Sequence, residues 1–180
     1  EDGGRELPTG ETGRIFVGNE MLFEGYTGGG NKDMIDGLMS SGDIGRLDED
    51  TIFRIYSMTK PVTSIALMML AEEGRISLDD PVAKWIPSWH DLAVYRAGQP
   101  GAFNTRPVDA PMRVIDLMRH TSGLTYNFQN RTNVDAAYRK LRLDAFEAES
   151  LAALVEGLAR VPLEFSPGTS WNYGVSTDVV

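Results

Sequence analysis

The sequence predicts an α+β protein, in which N-terminal strands contribute to an antiparallel sheet and a mainly helical region lies beside it. Three observations support this prediction. Residues 14–26 have the pattern of a β-hairpin, residues 57–73 have the pattern of a long apolar helix, and shorter amphipathic helices recur between residues 112 and 160. The chain has 180 residues, of which 42% are hydrophobic, so one domain with a sizeable core is expected.

The first fifty residues combine a strand pattern with a glycine-rich connection. The hairpin has a Gly-Asn turn at residues 18–19 and apolar residues on both arms. Residues 27–50 are rich in Gly and Asp, and a short helix is predicted near residues 33–39. The three glycines at 28–30 are interpreted as a loop and not as a phosphate-binding motif, because no G-K-[ST] sequence follows them.

Residues 53–74 are the stretch around which the rest of the chain is organised. A short strand is predicted at 53–56, and a helix at 57–73 has Pro61 in its first turn and Gly74 as its C-terminal stop. The helix is apolar nearly all round, which is typical of a helix buried on most sides. We therefore expect it to run through the core.

The remaining elements alternate between turn-rich segments and helices. Residues 75–87 form a compact turn, and residues 89–111, which have no clear period and several Gly and Pro, are predicted to be a long surface excursion. The packing residues expected in the first of these segments are Leu78, Val82, Trp85 and Ile86. Helices are predicted at 112–120, 133–141 and 150–160, and a last helix is predicted from about Tyr173.

Charge and composition exclude several classes of function. The 17 basic and 26 acidic residues give a net charge of −9, which argues against nucleic acid or an anionic membrane as a partner. The chain has no cysteine, so disulfides, cysteine nucleophiles and thiolate metal sites are excluded. A small neutral substrate fits this composition better.

Three polar residues, Ser57, Lys60 and Ser64, fall on one narrow stripe of the apolar helix. A buried, neutral lysine one turn from a serine can take the serine proton, and burial lowers the pKa of an amine. Ser57 also lies at the helix N-terminus, where backbone N–H groups favour negative charge on a bound carbonyl oxygen. The alternative interpretation is an N-cap serine followed by a surface lysine, and the S-x-x-K spacing alone does not decide between them.

Other catalytic arrangements find less support. No serine lies in a G-x-S-x-G elbow, and no H-E-x-x-H or similar spacing offers a metal site. His120 closes a predicted helix, where ending that helix is the expected role. The acidic pairs at 72–73 and 79–80 are interpreted as solvated helix-end charges.

Three segments taken together resemble the serine β-lactamase-like superfamily, and within it the family VIII carboxylesterases. These are the S-M-T-K segment from Ser57, the H-T-S-G-L segment from His120, and the P-G-x-x-x-x-Y segment that ends at Tyr173. The resemblance implies a β-lactamase/transpeptidase-like fold. It also implies that Ser57 is the acylated nucleophile, that Lys60 activates it, and that Tyr173 completes the proton-transfer set.

The function implied by this resemblance is hydrolysis of short-chain carboxylic esters through an acyl-enzyme, with no metal or organic cofactor. Tyr173 is followed by Gly174 and Val175, whereas β-lactamases and penicillin-binding proteins have an amide at the second of these positions, which favours an ester substrate. A class C-like β-lactamase, a penicillin-binding peptidase and a catalytically silent binding protein are the alternatives. Tyr126, Asn127 and Gln129 are candidate pocket residues, although loop packing explains them equally well.

Members of this superfamily are about twice as long as the present chain, so it is expected to be an N-terminal part that needs its own C-terminal half to complete the site. Residues 1–78 are expected to supply the N-terminal strands and the nucleophile helix. Residues 79–166 are expected to form the mainly helical region, and residues 167–180 the start of a return segment with the catalytic tyrosine.

Overall fold

A computed structural model describes residues 4–18, 32–46, 48, 50, 52, 55–144 and 147–180. By its internal contacts the chain divides into two compact units, Glu1–Arg54 and Ile55–Val180. The three-part division of roles expected from the sequence stays a prediction.

The first unit contains a three-stranded antiparallel sheet. Its strands are β1 (Gly13–Val17), β2 (Met34–Ile35) and β3 (Leu38–Gly45), in the order β1-β3-β2. In the register between β1 and β3, Gly13 lies opposite Gly45 and Val17 opposite Met39, with an irregularity between Arg14 and Phe16.

The helix predicted near residues 33–39 is wrong, because these residues form a tight hairpin. Asp36 and Gly37 connect β2 to β3 and have φ angles of +48° and +80°. Two successive left-handed residues match the twist of antiparallel strands and cannot belong to an α-helix. Residues 19–26, the second arm of the hairpin predicted at 14–26, lie outside the described residues, as do the glycines at 28–30.

The predicted nucleophile helix is present as α1 (Thr59–Glu72), preceded by a 3-10 turn at Tyr56–Met58. It ends as predicted at Gly74, which has a φ of +71°, while the N–H of Arg75 donates to the oxygen of Leu70 at 3.0 Å. Residues 53 and 54 of the predicted strand lie outside the described residues, and Tyr56 belongs to the 3-10 turn and not to a strand.

The expectation that α1 runs through the core is wrong for the part of the chain that the structure describes. Leu67 is its one buried residue there, whereas Val62 and Ile65 are each 63% exposed. The reason is that the apolar core of the second unit is assembled from later elements, and α1 packs mainly on the short turn at Val175–Asp178.

The segment predicted as a surface excursion is instead a second antiparallel hairpin. Its strands are β4 (Ala93–Gln99) and β5 (Ala102–Pro107), joined at Pro100-Gly101. Backbone hydrogen bonds of 2.8 Å, from the N–H of Tyr95 to the oxygen of Leu163 and from the N–H of Leu163 to the oxygen of Ala93, attach this hairpin to the later part of the chain.

Three helices complete the second unit: α2 (Val114–Met118), α3 (Asn133–Leu141) and α4 (Leu151–Leu158). All three predicted helices are therefore confirmed, although α2 and α4 are shorter than expected. Thr132 and Ser150 cap α3 and α4 by accepting hydrogen bonds from the N–H groups of Asp135 and Ala153. The helix predicted from about Tyr173 is wrong, since residues Val175–Asp178 form a 3-10 turn.

The core of the second unit lies between these helices and the β4–β5 hairpin. It includes the fully or almost fully buried Leu124, Val134, Tyr138, Leu154, Leu163 and Val175. Val82 is buried as predicted, but Trp85 is 50% exposed, so its predicted packing role is wrong. Trp89 is buried in its place, and its indole N–H donates to the oxygen of Val155 at 3.0 Å. No helix within the described ranges is long and apolar enough to cross a membrane.

Candidate active site

Ser57 lies in the 3-10 turn that leads into α1, so its side chain is placed at the N-terminal end of the helix. The residue before it, Tyr56, has a φ of +45°, in the left-handed region that non-glycine residues rarely adopt. Strained backbone of this kind is typical of functional sites.

The structure brings Ser57, Lys60 and Tyr173 together. The Tyr173 hydroxyl and the Ser57 Oγ are 2.7 Å apart, and the Lys60 Nζ is 3.4 Å from the same Oγ. The Lys60 Nζ also lies 5.1 Å from the centroid of the Tyr173 ring. A hydroxyl thus faces both an amine and a phenol, although Tyr173 is 116 residues away in sequence.

Lys60 departs from the sequence-based expectation in one respect. Burial disfavours its charge, but hydrogen bonds with Tyr126 and Tyr173 and the negative charge of Asp178 outweigh that effect and raise the pKa of Lys60 above its ordinary value. The expectation that burial keeps this amine neutral is therefore wrong for the described structure. Lys60 is only partly buried and has oxygen acceptors around it.

The backbone around Tyr173 is fixed by the H-T-S-G-L segment. The N–H of Asn172 donates to the backbone oxygen of His120 at 2.9 Å, and the N–H of Gly174 donates to the Nδ1 of the same histidine at 3.4 Å. The amide of Gln129 donates to the backbone oxygen of Tyr173 at 2.5 Å. Each side of Tyr173 is therefore held by a hydrogen bond, which restricts where its phenol can point.

His120 ends α2 as predicted, with a φ of +57°, and its ring has a second role beside Tyr173. The two ring centroids are 4.6 Å apart. Burial, together with the positive charge of Lys60, lowers the pKa of His120. A neutral imidazole can accept the hydrogen bond from Gly174, so the lowered pKa matches the contact.

Asn127 and Gln129, two of the candidate pocket residues, bind the protein itself. The Asn127 side-chain amide donates to Asp144, and the Gln129 side chain links Tyr173 to Arg131. Their role in binding substrate stays a prediction, while the described contacts favour the loop-packing alternative. Arg131 also donates to the side chain of Asn172 at 2.5 Å.

Tyr126, the third candidate, lies beside Lys60. The Lys60 Nζ is 5.7 Å from its ring centroid, and its hydroxyl donates to Asp178 at 3.1 Å. Burial is the main reason that the pKa of Tyr126 rises to about 12, so its phenol stays protonated at neutral pH. Beside it lies the ring of Phe128, stacked at 4.8 Å.

Aromatic side chains continue on the other side of Tyr173. The rings of Trp171 and Tyr173 are stacked with centroids 6.4 Å apart. Trp171 is 65% exposed and Phe128 is 66% exposed, so accessible aromatic surface lies next to Tyr173 and Tyr126. Such surface can bind the apolar part of a small molecule.

The two residues after Tyr173 face inward. A Cβ atom at Gly174 would lie 2.6 Å from the backbone oxygen of Leu124, which leaves room for glycine alone. Val175 is completely buried in the core. These positions therefore present no polar side chain to a bound substrate. No cluster of three His, Cys, Asp or Glu side chains that could hold a metal ion occurs in the described part of the chain.

Sequence reasoning assigned no role to Asp178, Asn172 or Arg131. Their contacts with the site join segments 41 to 52 residues apart. The spacing of residues in the sequence does not predict such contacts. The available signal is that Asp178 and Asn172 lie within five residues of Tyr173.

Comparison with known proteins identifies a family. The model of the beta-lactamase family matches residues 15–180. An acyltransferase from Penicillium decumbens is 35% identical over 137 residues, which are 73% of this chain and 31% of that protein. The esterase EstB of Burkholderia gladioli is 31% identical over 135 residues, again 73% of this chain and 31% of that protein.

A solved structure gives the same result at the level of the fold. It is EstCE1, a hydrolase with promiscuous acyltransferase activity, which is 25% identical and superposes with a TM-score of 0.59 over 74% of this chain and 32% of its own. The chain thus spans about a third of the length of the relatives that it matches.

Proposed function

Because the chain belongs to the beta-lactamase family, we propose that it carries the nucleophile and the proton-transfer groups of a serine esterase that cleaves short-chain carboxylic esters. The observation that supports this proposal most directly is the position of the Ser57 Oγ, 2.7 Å from the Tyr173 hydroxyl and 3.4 Å from the Lys60 Nζ. These distances allow proton transfer to and from the serine.

The reaction would proceed in two steps. The neutral form of Lys60 accepts the Ser57 proton while the Oγ forms a bond to the ester carbonyl carbon. That proton passes through the Tyr173 phenol to the leaving alkoxide as the ester C–O bond breaks, and an alcohol departs. Water then attacks the acyl-serine, the acid is released, and the serine recovers its proton.

The residues after Tyr173 favour an ester over a β-lactam or a peptide. An amide substrate has polar groups that need partners when they are desolvated. Gly174 and Val175 offer no side-chain hydrogen bond at that point, because one lacks a side chain and the other is buried in the core. The esterase name of the Burkholderia gladioli relative agrees with this choice.

Acyl transfer to an alcohol is a closely related outcome of the same chemistry. An acyl-serine can be attacked by an alcohol instead of water, and two of the similar proteins are described as having acyltransferase activity. The esterase name of the Burkholderia gladioli relative favours water as the acceptor. We therefore propose hydrolysis as the main reaction.

The test is intact-mass spectrometry of the full-length protein after exposure to a fluorophosphonate probe and, separately, to a p-nitrophenyl short-chain ester. We expect one adduct on the wild type and none on Ser57→Ala. Ser64→Ala is the matched control, because Ser64 lies on the same helix without the contacts of Ser57 to Lys60 and Tyr173. Tyr173→Phe should lower kcat by roughly 10²- to 10⁴-fold, as expected for loss of a proton-transfer group.

Absence of an adduct from a folded wild-type protein would contradict the proposal, as would an adduct that survives in Ser57→Ala. Fast, stable acylation by nitrocefin without ester turnover would show a β-lactamase or a peptidase instead.

A further inference from the structure

The carboxylate of Asp178 takes part in the site although it does not touch Ser57. Asp178 closes the 3-10 turn at Val175–Asp178, the element on which α1 packs. Its Oδ2 accepts the hydrogen bond of the Tyr126 hydroxyl at 3.1 Å. It is thereby connected to the ring that lies under the Lys60 amine.

This hydrogen bond fixes the direction in which the Tyr126 phenol can act. A phenol has one hydrogen to donate, and here that hydrogen goes to Asp178. The phenol oxygen can then only accept from Lys60, with which it interacts. Lys60 therefore meets an acceptor at Tyr126, and its Nζ also donates to the Ser57 Oγ at 3.4 Å.

Among the titratable groups around Lys60, one is a carboxylate. The titratable groups that act on it are Tyr126, Tyr173, His120 and Asp178. The two phenols carry no charge in their protonated form, and burial together with the nearby amine lowers the pKa of His120. Asp178 is thus the carboxylate of this group, and its charge favours the ammonium form of Lys60.

We propose that Asp178 is a positioning residue of the Ser57 site, which holds the Lys60 side chain against Ser57 by orienting the Tyr126 phenol. The proposal rests on the esterase function proposed above. It assigns Tyr126 a role in the proton-transfer set beside the expected one in the substrate pocket. Asp178 acts through Tyr126 and contacts neither substrate nor nucleophile.

The test measures the reactivity of Lys60 directly. Full-length protein carrying Ser57→Ala, so that the reagent is not transferred through the serine, is labelled with trace acetic anhydride between pH 7 and 10. Peptide mass spectrometry then gives the labelling rate of Lys60 relative to Lys140, an exposed lysine of the same chain. Only the neutral amine reacts, so this rate follows the fraction of Lys60 that is deprotonated.

We expect Asp178→Asn and Tyr126→Phe to increase the relative labelling of Lys60 at every pH below its midpoint, because each removes a partner of the ammonium. Asp178→Glu, which retains the charge, should restore the wild-type rate. Asp91→Asn is the control for loss of a surface charge, since Asp91 has a 95% exposed side chain. When Ser57 is intact, the rising part of the plot of kcat/KM against pH should move to lower pH in the same two variants.

Unchanged Lys60 labelling in both Asp178→Asn and Tyr126→Phe, with native circular dichroism, would overturn the proposal. So would a fall in kcat/KM at all pH values without movement of the rising part, which is the result of a purely structural role. Tyr126→Phe keeps the packed ring and decides the question if Asp178→Asn does not fold. A wild type with no Ser57 adduct and no ester turnover would contradict the esterase function, while the labelling result would still test Asp178.

Discussion

Lys60 determines how the activity should respond to pH. The neutral amine is the form that can accept the Ser57 proton, whereas the contacts with Tyr126, Tyr173 and Asp178 raise the pKa of Lys60 above its ordinary value. Below that pKa the neutral fraction increases about tenfold with each pH unit. We therefore expect kcat/KM for a phenyl ester to rise steadily from pH 7 to 10.

The measurement is a pH profile of the full-length enzyme, corrected for spontaneous hydrolysis in Ser57→Ala protein at each pH. A bell-shaped profile with its maximum near pH 7 would contradict this expectation. It would mean that another group acts as the base, or that the pKa of Lys60 is lowered and not raised.

Gly174 is tightly packed and directly follows Tyr173, so a change in its packing should affect the proposed catalytic tyrosine. A Cβ atom there would lie 2.6 Å from the Leu124 oxygen and 2.8 Å from the Thr125 Cα, so Gly174→Ala must displace the backbone next to Tyr173. A misplacement of about 1 Å in a catalytic group can cost roughly 10²-fold in rate. We expect kcat to fall by that order while KM changes little.

Steady-state kinetics on Gly174→Ala, with thermal unfolding measured in parallel, would check this expectation. Gly157→Ala is the matched control, because its added Cβ would meet only the flexible end of Leu143 and lies outside the site. Equal losses of kcat in the two variants would indicate general destabilisation instead of a local displacement.

At the scale of the elements, α3, α4 and the Ser150 cap were predictable, whereas most of the strands were not. The apolar periodicity of α3 and α4 and the Ser150 cap follow from local physics, and the structure confirms them. The β4–β5 hairpin was missed although Pro100-Gly101 separates two runs of strand-forming residues. Its twist needs left-handed glycines at 98 and 101, and glycines in a polar segment were interpreted as loop.

The site was predictable to a similar degree. Ser57 and Lys60 belong to one short motif and Tyr173 to another, and the structure brings the three side chains into contact. The direction in which the pKa of Lys60 shifts could not be predicted, since it depends on burial and on contacts with Tyr126, Tyr173 and Asp178 that only the folded chain forms.

The N-terminal caps of α3 and α4 provide a stability prediction for single elements. Ser150 accepts one hydrogen bond at an exposed helix end, from the Ala153 N–H at 3.1 Å. Thr132 accepts from the Asp135 N–H, forms a capping box with Asp135, and also donates to Glu164 at 2.6 Å. Replacement of a capping residue by Ala lowers the free energy of unfolding by about 1 kcal/mol on average. We expect a larger loss for Thr132→Ala and a smaller loss for Ser150→Ala.

Urea denaturation of the two variants measures both free energies of unfolding in one protein. The comparison is internal, because each cap serves as the control for the other. A larger loss for Ser150→Ala would contradict the assignment of the stronger cap to α3.

For the whole second unit, Leu163 is the residue that joins the hairpin to the helical core. It is completely buried, and its backbone bonds to both Ala93 and Tyr95 of β4. Leu163→Ala keeps those backbone bonds and removes only side-chain volume, which typically costs about 2–5 kcal/mol in a core.

The loss should appear as a lower urea concentration at the midpoint of unfolding. The slope of the free energy of unfolding against urea concentration should not change. Leu151→Ala is the matched control, since Leu151 is 58% exposed and should change stability by less than about 1 kcal/mol. Similar losses in the two variants would contradict a core that is centred between the hairpin and the helices.

The aromatic surface beside Tyr173 has a spectroscopic consequence. Of the three tryptophans, Trp89 is buried in the core and Trp85 lies under the Lys84 amine, whereas the exposed Trp171 has its ring 6.4 Å from those of both Tyr173 and His120. A neutral and a protonated imidazole differ in how strongly they quench an indole. Emission from Trp171 should therefore respond to the charge of His120, which makes it an optical signal for the imidazole that lies beside Tyr173.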